Sequence, residues 1–275
     1  MMRYLNAIFN TIGDLALWAF RWSNPWPAMI VVSLLATILL LLIVRAFSNP
    51  TAISKSKRKL IARVMEIHLF RNDPVVAFSA CWRIFKANLI YFQHLIRPIC
   101  CTAVPGILIL IQLNCWFSHR PLHPGETAIL KVQLTSATPI LDHKIKVVAS
   151  DSLTVDPQSL RIPSLNQVNL NLRADQLGTG WVEIISDGVP IRKEVIVADR
   201  LAKLSERKVQ AGFWDMLLHP VETPIDVSSP VQSIEIQYPQ RKMYVGLMEI
   251  DWIIAFLLLT IIFGVILKGP LKATL

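Results

Sequence analysis

Three long blocks of the chain carry almost no charge, and between them the spacing of apolar residues changes period. Residues 28–44 (AMIVVSLLATILLLLIV) hold no charge and end at Arg45. Residues 99–117 (ICCTAVPGILILIQLNCWF) form a second block and residues 253–267 (IIAFLLLTIIFGVIL) a third, lengthened by Trp252 and by Ile250 around Asp251. A helix needs about 20 residues to cross roughly 30 Å of hydrocarbon, with a working range of about 17–25. The pattern therefore predicts spans over residues 26–46, 99–117 and 250–267, the third with Asp251 in the headgroups. Pro105 predicts a kink in the second span, which a membrane tolerates where a neighbour satisfies the freed carbonyl. The first block lacks a small-residue cleavage site and runs straight into basic sequence, unlike a signal peptide.

The flanking segments keep helical spacing but are not apolar all round. In residues 1–24, Leu5, Ile8, Phe9, Ile12, Leu15, Ala16 and Ala19 share one face, while Asn6, Asn10 and Asp14 share another. This predicts an amphipathic helix lying on the membrane before Pro25 and Pro27 turn the chain inward; the alternative is a fourth, poorly apolar span. Residues 50–97 predict a basic helical hairpin. Its first helix covers 54–70, with Leu60, Val64, Ile67 and His68 on one side. Arg71-Asn72-Asp73-Pro74 is a turn, with Pro74 suited to the first position of the next helix. The second helix, 75–96, aligns Phe78, Trp82, Phe85, Leu89 and Phe92 in a stripe that reads as a packing seam, and it leads directly into the second span.

Residues 118–246 switch to period two. Alternating segments at 127–134, 144–148, 167–173, 180–185 and 189–197 are separated by Pro, Gly, Asn and Asp turns. Short strands so spaced predict an antiparallel sandwich of immunoglobulin-like type. Residues 201–218 read as helix or loop, with AGFWDMLL (211–218) a short amphipathic piece. Strand-like sequence resumes at 233–238 and 242–245.

Composition narrows the class. Of 275 residues, 53% are hydrophobic and 17% charged, with a mean hydropathy of +0.47. Soluble domains average about 45–50% apolar and about 25% charged. Disorder, collagen and a disulfide-stapled miniprotein are excluded, and an integral membrane protein is the expectation. Charge gives the direction. From Arg45 to Arg97 there are ten Lys/Arg against Glu66 and Asp73, whereas residues 118–251 carry fourteen Lys/Arg and sixteen acids. Short loops rich in Lys and Arg stay cytoplasmic. The N-terminus and the β domain are then outside, and the 268–275 tail is inside. Trp22, Trp26, Trp116 and Trp252 fall at the outer span ends, where an aromatic belt sits. The basic excess reads as topology plus attraction to anionic lipid, with no DNA partner.

Candidate chemistry is sparse. None of the four cysteines lies in the β domain, and the six histidines form no HxH or HxxxH pair. His119 and His123 flank a proline-rich turn, a weak metal signal. Gly178-Thr179-Gly180 reads as a hairpin turn rather than a phosphate loop, and Glu249 and Asp251 as interfacial acids. No nucleophile motif or nucleotide loop occurs, so the expectation is a protein without enzymatic activity, cofactor or metal. What stands out is polarity at membrane depth: Ser33 and Thr37 in the first span, Gln112 and Asn114 in the second and Thr260 in the third. Arg45 closes the first span, and Asn88, Gln93, His94 and Arg97 line the approach to the second. Such groups face protein or water rather than lipid. The two readings are ordinary interhelical hydrogen bonding and a shallow hydrophilic groove open to the cytoplasm.

This order of parts, an outer helix, an N-out span ending in Arg45, a basic hairpin and two further spans, resembles the three-span core of the YidC-type membrane-insertase superfamily. The likeness covers residues 1–117 and 250–275 and is one of topology. It differs in the roughly 130-residue β domain between the last two spans. The resemblance implies a chaperone-like role in membrane-protein insertion, folding or assembly. Arg45, Gln112, Asn114 and Thr37 would then contact substrate in a groove. Lys55, Lys57, Arg58 and Lys59 would meet lipid or ribosome by charge, in a salt-sensitive way. The implied partners are the bilayer, nascent membrane proteins and the ribosome. The alternative is an anchored scaffold, or a subunit of an envelope or transport complex, whose β domain binds a protein partner. Residues 87–124 also resemble an uncharacterised group of bacterial inner-membrane proteins, which implies that membrane as the location.

Overall fold

A computed structural model of the chain describes residues 24–48, 50–69, 74–135, 145–186 and 188–270. The helix predicted within residues 1–24 and the turn at 71–73 therefore lie, apart from Asn24, outside the described residues. Among the described residues there are five α-helices: α1 (Trp26–Phe47), α2 (Pro50–Leu69), α3 (Pro74–Phe117), α4 (Phe213–Leu218) and α5 (Trp252–Leu267). The chain divides into two compact units, residues 1–32 with 110–255 and residues 33–109 with 256–275.

α1 begins where Pro25 and Asn24 dictate. The Asn24 side-chain oxygen accepts the Trp26 N–H at 3.0 Å, and the Pro25 carbonyl accepts that of Met29, so first-turn donors are satisfied at the turn. α1 and the 82–117 stretch of α3 are long and apolar enough to cross a membrane by length and composition. α5 has 16 residues, about 24 Å of helix at 1.5 Å per residue. It starts later than the predicted third span. Asp251 is its cap, with Oδ1 accepting the Ile253 N–H at 2.8 Å, and Ile250 ends a strand.

The boundary drawn between the second hairpin helix and the second span is absent. α3 is a single helix of 44 residues with Pro98 and Pro105 inside it. Each proline removes one hydrogen bond and crowds the carbonyl four residues back, which bends a helix without ending it where the flanking turns hold. The Thr102 hydroxyl helps by donating to the carbonyls of Pro98 and Ile99, both at 2.9 Å.

The helices expose many large apolar residues, and the residues they bury are mixed: Ser33 and Thr37, but also Met29, Leu113, Trp116, Phe117 and Phe256. Along α1, Ser33, Ala36, Thr37 and Leu41 are buried, while Ile30, Leu35, Leu39 and Leu42 are exposed. On α3, Ile99, Val104 and Ile107 are exposed, and on α5 so are Ile254, Leu258, Ile261, Ile262, Val265 and Ile266.

The β unit is built around an aliphatic core. It contains β1 (Thr127–Leu134), β2 (Ile145–Ala149), β3 (Leu153–Ile162), β4 (Gln167–Ala174), β5 (Gly178–Ser186), β6 (Val189–Val197), β7 (Arg207–Val209), β8 (Val231–Ile236), β9 (Met243–Val245) and β10 (Met248–Ile250). One sheet has the order β3-β4-β1-β8-β7 and another β2-β5-β6; β9 and β10 form a separate hairpin. All strand pairs are antiparallel. Leu130, Val132, Leu172 and Ile234 of the first sheet share one core with Val182, Ile184, Val195 and Val197 of the second. Gly178-Thr179-Gly180, expected to turn, instead opens β5 and pairs with Val197, Ile196 and Val195; the turn precedes it at 175–177. Gly180 lies against Leu153, whose Cδ1 would sit 2.7 Å from an added Cβ, so close packing and not a turn requires this glycine. β3 carries Asp156 and Pro157, which obscure its alternation. It is an edge strand with a register shift between Val155 and Ser159, where proline is tolerated.

Three helix ends attach to one short segment of the β unit. The Trp26 indole N–H at the start of α1 donates to the Tyr244 carbonyl at 3.0 Å. Arg241 N–H donates to the Ser118 carbonyl, just past the end of α3. α5 begins at Trp252, two residues after β10.

Candidate functional site

The residues singled out for a groove divide by orientation. Thr37 is buried and its hydroxyl donates to the Ser33 carbonyl one turn back, at 2.7 Å. The Ser33 hydroxyl is itself fully buried and has no hydrogen-bond partner. Arg45 lies about two turns beyond Thr37 on α1 and is exposed. On α3, Gln112 Oε1 is buried without a partner, as is the indole N–H of Trp116 one turn later. Asn114 points to another face and is exposed. Thr37 and Gln112 thus face inward on their own helices and Arg45 and Asn114 outward. Ser33, which the sequence flagged only among general span polarity, belongs with the inward pair.

The basic run keeps the exposure its charge demands. Lys55, Lys57, Arg58 and Lys59 are all exposed on α2, with Ser56 buried among them. The aromatic stripe on α3 departs from expectation. Trp82, Phe85, Leu89 and Phe92 are exposed, and the contact within the stripe is Trp82 stacked on Phe85 at 5.7 Å. At these four residues it is not a packed seam, and Ile61, Val64 and Met65 of α2 are exposed as well.

At the base of the β unit the HPGE turn is built around charge. Arg120 forks onto Glu126 through two bonds of 2.9 and 2.8 Å, and His123 N–H donates to Glu126 Oε2 at 3.0 Å. Gly125 holds φ +89°, which favours glycine, and its N–H reaches the Ala174 carbonyl. The Arg120 bonds hold the Glu126 carboxyl down at about 2. Burial, and then the charge of Arg120, bring Arg241 down to about 10, and two of its guanidinium nitrogens are buried without a partner. His119 and His123 each face a different carboxylate, Glu206 and Asp199. Among the described residues no three His, Cys, Asp or Glu side chains cluster as a cation cage.

A buried charge in the β unit was not anticipated from the sequence. Lys193 is fully buried, and its ammonium donates to Glu222 Oε1 (2.5 Å), the Ser205 carbonyl (2.6 Å) and the Ser205 hydroxyl (2.8 Å). Burial lowers its pKa against the pull of Glu222. Lys208 stands 3.8 Å from the second Glu222 oxygen. The signal was available in strand parity, since Lys193 is in phase with Ile191, Val195 and Val197 on the inward face. A cavity of about 730 Å³ lies against Trp116, between 177–179 and 196–203, and carries Arg200 and Lys203. Its one carboxylate, Asp199, is engaged by His123. Compared with protein families, curated proteins and solved structures, the chain has no match in any of the three.

Proposed function

We propose that the chain is an integral membrane protein, N-terminus outside and C-terminus inside, that assists the insertion, folding or assembly of other membrane proteins without covalent chemistry. α1, the 82–117 part of α3 and α5 are the spans, and the β unit is extracytoplasmic. The exposed apolar faces of these helices support a lipid setting, since lipid replaces water as the outer solvent and polarity moves inward. The attachment of two helix starts and one helix end to residues 240–252 supports α1 and α5 running parallel and α3 opposite. The exposed basic run on α2 supports a cytoplasmic position and contact with anionic lipid or ribosomal RNA. The order β3-β4-β1 facing β2-β5-β6 follows strands D-E-B facing C-F-G of an immunoglobulin-like sandwich, with β8 beside β1 where strand A would lie.

The observation that carries the insertase-like reading is unspent polarity inside apolar helices. Ser33 Oγ and Gln112 Oε1 are buried without a partner, and such groups are expensive in hydrocarbon. A polar segment of a client, passing the helices, would give them hydrogen bonds and lower its own cost of desolvation. Gln112→Leu removes no internal hydrogen bond of Oε1, so the protein's own level stays unchanged while insertion of a client with a charged outer flank falls. Arg45→Ala is expected to lower insertion of the same client. Photocrosslinking from position 112 in living cells gives many nascent membrane chains. Unaltered insertion in both variants, with one or two discrete crosslinked bands, would overturn the reading.

That outcome would favour the second reading, a scaffold. The exposed edge-to-face pair Phe213–Trp214, 5.2 Å between ring centres on α4, is the observation for it. Phe213→Ala with Trp214→Ala would then release a co-purifying membrane chain.

A further inference from the structure

We infer that the β9–β10 hairpin dips its tip into the outer leaflet as a lipid-contacting keel of the β unit, an inference that rests on the membrane reading above. Polarity runs in one direction along this hairpin. At its base Lys242 Nζ and Glu249 Oε2 pair at 3.1 Å, and Met243 turns into the protein. At its tip Tyr244, Val245, Leu247 and Met248 are all exposed, Leu247 at 102% and Met248 at 73%. Gly246, at φ +61°, makes the turn between them. No charged residue occurs from 243 to 248. In water four contiguous apolar side chains on a two-stranded ribbon gain nothing from this exposure.

The height of the hairpin is fixed by its neighbours. The Trp26 indole at the first residue of α1 donates to the Tyr244 carbonyl, so the tip strand is pinned where one span begins. Trp252, the first residue of α5, follows β10 after a single residue, so the other strand ends where a second span begins. Trp26, half-buried, occupies a position typical of the interfacial belt, whereas Trp252 is buried in the protein. Both anchors lie in the base half of the hairpin, and an uncharged tip that leaves them toward the bilayer reaches the headgroup and upper acyl region, roughly the 5–10 Å depth an interfacial apolar face reaches. The occupant is lipid, because the tip offers aromatic and aliphatic carbon with no charge to orient a polar partner.

The test uses the full-length chain in vesicles of phosphatidylcholine and phosphatidylglycerol, with the native cysteines replaced by alanine. Single cysteines are introduced by Leu247→Cys, by Leu160→Cys on exposed β3, and by Ile261→Cys on α5, each carrying an environment-sensitive fluorophore. We expect the probe at 247 to be quenched by lipid bearing a shallow nitroxide and several-fold less than the probe at 160 by aqueous iodide. Iodide quenching at 247 equal to that at 160 overturns the inference. So does shielding of 247 from both quenchers, which would mean a protein cover instead. The 261 probe separates the two levels. If a deep nitroxide quenches it while 247 stays wet, the hairpin inference fails alone; if 261 is also wet, the membrane reading fails with it.

Discussion

β1 and α1 differ in what they turn outward and in the polarity they bury. β1 buries Ala128, Leu130, Val132 and Leu134 and turns Lys131 and Gln133 outward. α1 buries Ser33 and Thr37 beside Met29, Ala36 and Leu41, and turns Ile30, Leu35, Leu39 and Leu42 outward. For β1, water is the outer solvent, and burial of each aliphatic side chain stabilises by about 1.5–3 kcal/mol. That term vanishes where the surroundings are as apolar as leucine, and close contact of small residues and hydrogen bonding take over. The difference teaches that burial alone does not locate a core in this chain. Under the membrane reading proposed above, what matters is which solvent each face meets.

Lys193 is the sharpest exception to the β rule and offers the largest effect. Lys193→Met strands Glu222 in the interior, and breaking a buried pair from one side costs about 3–5 kcal/mol. The expected loss is toward the lower end because Lys208 stays near the second carboxylate oxygen. Replacing both partners, Lys193→Met with Glu222→Leu, restores most of the stability. Hydrogen exchange of the β5 and β6 amides in the full-length protein measures both. If the single change is silent, the pair is not buried as described and the β unit's inside is wetter than its aliphatic core implies.

Leu39 tests the helix half of the comparison directly. Placed at the centre of a lipid-facing span, an arginine costs about 2.5–3.5 kcal/mol on the insertion scale. Leu39→Arg is therefore expected to lower the fraction of chain resisting alkaline extraction from membranes. Val227→Arg, on an exposed loop of the β unit, changes stability by less than about 0.5 kcal/mol. Equal, negligible effects at both positions would mean that the exposed face of α1 meets water, and the contrast between the two regions would collapse.

How much of this was legible depended on whether local pattern decides. β1 and β6 match their predicted bounds, because apolar residues dominate one parity, Lys193 in β6 apart, and turns bracket them. α1 was legible because seventeen uncharged residues admit few alternatives. β3 was hidden by Asp156 and Pro157, which an edge position tolerates. The length of α3 was hidden by Pro98 and Pro105, which argue locally for a break. Of the candidate site, Thr37 and Gln112 were legible as polar groups at membrane depth, but their inward orientation was not, since residues 112 and 114 differ only by helix rotation. The Arg120–Glu126 fork was missed because its partners meet through the HPGE turn, whose geometry no periodicity encodes.

That fork gives the smallest expected effect and a last distinction between the regions. Glu126 titrates at about 2 in the folded chain against an ordinary 4.5. A depressed carboxyl favours the folded state at any pH above the ordinary value, and the contribution disappears as pH falls from about 4.5 to about 2. Both side chains are roughly one-third exposed, so solvent screening keeps the effect within about 1 kcal/mol. Exchange protection of the 122–128 amides is expected to fall across that window in the natural chain, and to change less in Glu126→Gln, which begins from a lower value at neutral pH. α1 and α5 contain no carboxylate, so protection of their central amides stays flat over the same range. A parallel acid loss in both regions would mean that one cooperative unit is titrating, and the difference in solvent would no longer separate them.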